Sequence, residues 1–139
     1  SHNGFFVLKA FDMFTPSTAR VLYLLSCVFG NVYVVKPSMS RPCSSERYVV
    51  CHAYDAVAGA RVAPLLRATM LAWQEGTELW PAMLLPPEFT TKLRDINTRL
   101  ATAQRNSIDL AVNGRGYTSA QQIQYARKWL VAHDLPTVR

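Results

Sequence analysis

Lys9 and Glu46 are the residues most at odds with their surroundings. Lys9 interrupts the apolar run FFVLKAF at 5–11, and Glu46 opens ERYVVCHAY at 46–54. A lysine inside an apolar strand has two readings: it snorkels to water at the strand end, or carboxylates hold it in a site. A lysine oriented by an acidic partner is suited to general-base work on a hydroxyl, provided part of its population is neutral. The polar segment PSMSRPCSS at 37–45 adds Arg41 and Ser40. Arginine grips phosphate bidentately and so positions a strand without reading its bases. Arg41 with Ser40 is therefore a candidate phosphate or ribose contact, against a structural ion pair. Ser44 either caps the turn before the next strand, the favoured reading, or donates to a substrate. Beyond Lys9, Phe14 is a candidate stacking platform, although a turn residue with no ligand is the commoner case. Asp12 reads from its position as a helix entry. Lys36, before Pro37, reads as solvated, and Tyr48 as core.

The elements around these residues follow from patterning. Residues 5–11 suit a buried strand, Asp12 to Thr15 a turn, and 16–29 a helix with Thr15 as N-cap, Pro16 in the first turn and Gly30-Asn31 as the stop. A strand is expected at 32–36, a loop at 37–45 and a last strand from Glu46. Strand, helix and strand in a right-handed crossover favour two parallel strands. The short loop then returns the chain as an antiparallel edge strand. Lys9, at the end of the first strand, and Glu46, at the start of the third, come to one sheet edge, the edge where open α/β sheets bind ligands. Strand alternation turns Arg47 to the face opposite Glu46.

From Gly59 onward the texture is helical: Arg61 to Gln74, then the interruption WPAMLLPPE, then Pro87 to about Val112, a turn at NGRG (113–116) and a helix from about 119 to His133. Trp73, Trp80 and Trp129 read as buried. The region 59–139 holds 10 of 15 basic and 6 of 9 acidic residues. Its pairs Arg94 with Arg105 and Arg127 with Lys128 either line an RNA-facing surface or solvate helices.

Composition bounds the function. The chain has 139 residues, 50% hydrophobic and 17% charged, which argues against a disordered tail or a charged coiled coil. A formal charge of +6 favours a polyanionic partner without specifying one. No apolar run approaches the roughly 18 residues of a membrane helix, so no membrane partner is expected. The start SHNGFF lacks a signal-peptide layout. Cys27, Cys43 and Cys51 are odd in number and scattered, which disfavours a disulfide scaffold or zinc site; no metal ligand is assigned.

The stretch GFFVLKAF-D-MFTP and the later VVKPSMSRPCSSERYVVC, at this separation, resemble the FtsJ-like ribose 2'-O-methyltransferases, nearest to the branch that methylates capped mRNA. The resemblance covers residues 4 to about 55. It implies an α/β fold: the C-terminal portion of a Rossmann-like S-adenosylmethionine-dependent methyltransferase sheet over 1–58, followed by a mainly helical extension over 59–139. It implies that Lys9 and Glu46 match the second lysine and the glutamate of the family's Lys-Asp-Lys-Glu tetrad, with Lys9 as base. It also implies a capped mRNA 5' end as substrate, contacted by Arg41, Ser40, Ser44, Asp12 and Phe14. The nucleus is the implied compartment, or the cytoplasm for a viral protein. The family's first lysine, its aspartate and its glycine-rich turn lie upstream of the matching stretch. The expectation is therefore a C-terminal piece, inactive alone, whose S-adenosylmethionine is held mainly by a missing upstream half or complementary polypeptide. A non-catalytic RNA- or protein-binding scaffold and an rRNA or tRNA 2'-O-methyltransferase are the competing readings.

Overall fold

A computed structural model describes residues 3–38, 40–116 and 119–136. In order, the elements are β1 (Phe6–Ala10), α1 (Pro16–Val28), β2 (Phe29–Val35), β3 (Arg47–Tyr54), α2 (Ala56–Ala72), α3 (Pro87–Val112) and α4 (Ser119–Ala132). The α/β class and the order of elements match the sequence reading. Two boundaries move. The Gly30-Asn31 stop is part of β2, because Phe29 is already extended and packs its ring against Phe6 and Tyr54, with centroids 6.4 and 5.3 Å away. Helix α2 begins at Ala56, before Gly59, because the Asp55 carboxylate accepts from the Val57 and Ala58 amides at 2.8 and 3.1 Å.

The sheet order is β1-β3-β2, with β3 antiparallel to both neighbours. The expected edge position of β3 is thus wrong: it is the central strand. The physical reason lies in its inward residues. Val49 and Cys51 are fully buried, and only the middle of the sheet pairs both backbone edges of so buried a strand. Conversely, β1 is an edge strand among the described residues and not the buried strand its composition suggested. Phe5, Phe6 and Val7 are all exposed.

One face of the sheet carries the core. Val49 and Cys51 of β3 pack with Met13, Leu22 of α1 and Leu93 of α3, while Leu8, Val32, Phe89 and Ile96 fill in around them. Thr15 caps α1 as expected, its hydroxyl accepting from the Thr18 amide at 3.1 Å. Arg20 holds the connection between α2 and α3 against α1. It pairs with Glu78 at 2.9 Å and donates to the carbonyls of Leu79, Pro81 and Met83. Trp80 is half-buried, its indole N–H donating to Thr69 at 2.7 Å, whereas Trp73 and Trp129 are exposed, against the burial expected of all three. Among the described residues, no helix is long and apolar enough to cross a membrane.

Because α3 closes the same core as α1 and β3, truncating Leu93 should weaken the whole fold. Leu93→Ala is expected to cost about 2–4 kcal/mol in urea unfolding, and the exposed Ile108→Ala under about 1 kcal/mol. Equal, small effects would show that α3 contributes nothing to the sheet's stability.

Candidate functional site

Register decides which side chains meet at the sheet edge. Lys9 lies opposite Tyr48, and Ala10 opposite Arg47. Residues directly opposite share a face, so Lys9 and Tyr48 project from the side away from the buried Val49 and Cys51. Glu46, two residues before Tyr48, falls on that same side. Lys9 Nζ lies 3.3 Å from Glu46 Oε1, and Tyr48 Oη donates to the same oxygen at 2.6 Å. One carboxylate oxygen thus serves an ammonium and a phenol. Lys9 Nζ also sits 5.2 Å from the centre of the Phe11 ring.

The electrostatics follow from those contacts. The Tyr48 hydrogen bond, with the nearby Lys9 and Lys36 charges, holds the Glu46 carboxyl below the usual carboxylate range, against a partial desolvation that pulls the other way. The same bond raises the Tyr48 phenol above its ordinary value, so it stays protonated and donating. With its Lys9 side chain half-exposed at 48%, the pair remains open to solvent.

Behind the pair, Lys36 organises the loop 37–45. Its Nζ donates to Ser40 Oγ at 3.0 Å, to the Ser44 carbonyl at 2.6 Å and to the Glu46 carbonyl at 3.0 Å. Partial burial lowers the Lys36 ammonium's pKa, with the Glu46 charge opposing. The solvated reading of Lys36 is therefore corrected: three oxygens compensate its desolvation. Ser44 Oγ accepts from the Glu46 amide at 3.2 Å, matching its turn reading. Ser40 and Ser44 both stand inside this scaffold, and Arg41 is exposed on the loop's outer side.

The structure groups Asp12 and Phe14 with Arg47. Arg47 is 2% exposed on the core face, as strand alternation implied, with its guanidinium carbon 5.9 Å from the centre of the Phe14 ring. Burial lowers its pKa, and the Asp12 charge opposes that shift. Phe14 keeps an exposed ring over a groove that α3 borders with Arg94 and Asn97. Asn97, buried on α3, donates to the Met13 carbonyl at 3.0 Å and fixes the turn that follows Lys9.

Sequence reasoning missed Tyr48 and Lys36. Tyr48 carries a usable signal, since i and i+2 of a strand share a face and Glu46 stands at i. The Lys36 contacts depend on how nine loop residues fold back, which no local pattern encodes. The turn NGRG closes α3: the Arg115 amide bonds the Leu110 carbonyl at 2.8 Å, and Gly114 takes φ +68°. It follows a helix, not a strand, and is not a phosphate-cradling turn. Among the described residues, no group of three or more His, Cys, Asp or Glu is placed to hold a metal ion.

The FtsJ-like methyltransferase family model matches residues 1–54. The cap-specific mRNA (nucleoside-2'-O-)-methyltransferase 1 of Ailuropoda melanoleuca is 56% identical over 48 residues, 34% of this chain and 6% of that protein. The corresponding Drosophila melanogaster protein is 49% identical over 49 residues, 35% and 6% of the two chains. Cap-specific mRNA (nucleoside-2'-O-)-methyltransferase 2 of Danio rerio is 35% identical over 109 residues, 76% of this chain and 14% of that protein. The chain therefore matches a small part of the length of each relative.

Two measurements check the site's electrostatics. In an NMR titration of side-chain carboxyls, Tyr48→Phe should move the Glu46 midpoint upward, because the bond it removes favours the charged form. The Glu46 contribution to stability is present above the unfolded carboxylate range and disappears as pH falls through the depressed folded value; Tyr48→Phe should shrink that contribution and complete its loss at higher pH, because the folded value moves toward the unfolded one. Lys36→Met should speed amide exchange at Ser40 and Ser44 about tenfold, a loss of ~1.4 kcal/mol of local protection, while Arg41→Ala leaves it unchanged.

Proposed function

Because residues 1–54 match the FtsJ-like methyltransferases, we propose that this chain takes part in transferring a methyl group to the ribose 2'-hydroxyl of a 5'-terminal nucleotide of capped mRNA. The observation that carries the reading is the Lys9–Glu46 pair, 3.3 Å apart at the open sheet edge, within the residues that the FtsJ-like family model matches. In its neutral form Lys9 accepts the 2'-hydroxyl proton at Nζ as the oxygen becomes a nucleophile. Glu46, kept ionised by Tyr48, aims the Lys9 amine and offsets the charge it gains. The Phe11 ring beside Nζ limits its swing. Lys36 holds the Glu46 backbone, so the carboxylate enters the reaction already placed.

FtsJ-like methyltransferases draw the methyl group from S-adenosylmethionine. The residues here do not fit that donor by themselves: the glycine-rich turn at 113–116 closes a helix, and no strand-to-helix glycine turn is present among the described residues. In this proposal the donor is bound by another part of the protein, and residues 1–58 supply the base and its orienting groups. The Lys9 environment is also compatible with a structured rRNA or tRNA acceptor; the identity to cap-specific relatives favours the capped end.

The test is methyl transfer by the full-length protein onto a short capped RNA. Lys9→Ala should lower the rate of the chemical step at least about 100-fold, and Glu46→Gln should lower it less, since a neutral amide still accepts a hydrogen bond. Unchanged chemistry in Lys9→Ala would remove the assignment. Transfer onto uncapped structured RNA, with the capped oligonucleotide ignored, would replace the substrate.

A further inference from the structure

Beyond the Lys9–Glu46 edge, the outer side of the loop 37–45 forms one wall of a cleft of about 730 Å³. Its other walls are the C-terminal end of α3 and the exposed side of α4. Three cations from distant parts of the sequence line it: Arg41 on the loop, Arg115 just past α3 and Lys128 on α4. No aspartate or glutamate is among its described lining residues. Tyr125 and several glutamines supply the remaining polar surface.

The cleft is built, not incidental. Cys43 Sγ donates to the Ser107 carbonyl at 3.3 Å, and Gln104 Nε2 donates to the Cys43 carbonyl at 3.2 Å. These bonds fasten the loop 37–45 to α3 across more than sixty residues of sequence. Arg115 is positioned by the tight turn that closes α3, where Gly116 lies against Ala111 so closely that a Cβ would come within 3.0 Å of it. The loop is shared: Lys36 grips its inner side next to Glu46, while Arg41 projects into the cleft.

We propose that this cleft binds the phosphodiester backbone of single-stranded RNA continuing from the acceptor nucleotide, with Arg41, Arg115 and Lys128 as its phosphate contacts. The inference deepens the reading of the Lys9–Glu46 site and rests on it for the choice of RNA. Three cations with no acidic residue among the described lining match a repeating monoanion, and Arg41 ties the path to the reaction edge through the loop it shares with Ser44. Arg115 and Lys128 lie outside the segment that the family model matches. Phosphate contacts of this kind add affinity without sequence preference.

The test is fluorescence anisotropy of a labelled, uncapped single-stranded RNA on the full-length protein, as a function of salt. Arg41→Ala, Arg115→Ala and Lys128→Ala should each weaken binding about fivefold. Each should also reduce the slope of log affinity against log salt by about 0.7, and the triple variant by about 2. Arg115→Lys should restore the slope, and Arg67→Ala, elsewhere on α2, should leave it unchanged. Unchanged slopes in all three variants would overturn the proposal, whatever the state of methyl transfer. Poly-glutamate binding tighter than RNA, with the same dependence on Arg115 and Lys128, would overturn it in favour of an acidic protein partner. Loss of slope in a protein that methylates no capped RNA would uphold the cleft and remove the catalytic reading alone.

Discussion

The rest of the structure depends on β3 lying between β1 and β2. A strand paired on both edges cannot slip in register without breaking two ladders, and a one-residue slip would exchange its two faces. Its fixed register sorts alternate residues into two environments. Arg47, Val49 and Cys51 go to the core, where Cys51 is buried deeply enough for its thiol pKa to be raised. Glu46 and Tyr48 go to the opposite face, where β1 presents Lys9. The Lys9–Glu46 pair is therefore a product of strand pairing, although its members are separated by a helix, a strand and a loop.

Glu46 is held through every polar group it owns. Its amide donates to Ser44, its carbonyl accepts from Lys36, and its carboxylate receives Tyr48 and Lys9. The division matters because the two lysines then do different work. Lys36 spends its donors on backbone and Ser40, and its partial burial is offset by those bonds. Lys9 keeps a half-exposed ammonium with one carboxylate partner. Two lysines near one glutamate are separated by geometry into a part-buried cation bound to three oxygens and a half-exposed one, a distinction that residue type alone does not make.

Much of this was legible in the sequence. Thr15 before Pro16, the helical span of α3 and the parity of Arg47 against Glu46 each rest on local chemistry, and each is found in the structure. The shared edge of Lys9 and Glu46 followed from connection rules alone. The central place of β3 was not legible, because crossover handedness fixes that β1 and β2 run parallel without fixing whether a third strand separates them. Tyr48 was misread because a tyrosine in an apolar strand suits burial; its hydroxyl found a partner on the open face instead. Trp73 and Trp129 were misread because burial of an aromatic on a helix depends on what the helix packs against.

Arg47 shows why the turn after β1 needs the helices that follow. A buried guanidinium costs several kcal/mol unless paired, and here its Nη1 has no hydrogen-bond partner among the described residues. The compensation comes from the Phe14 ring below it and the negative charge of Asp12. Both stand in the turn 11–15, so the turn must be held for the cation to be tolerated. Asn97 does that from α3 by binding the Met13 carbonyl, while Met13 itself is buried in the core. Since Lys9 is two residues before the turn, a helix more than eighty residues away in sequence fixes where the amine can stand. Helix α3 is thus part of what holds the turn beside the edge, not an appendage to it.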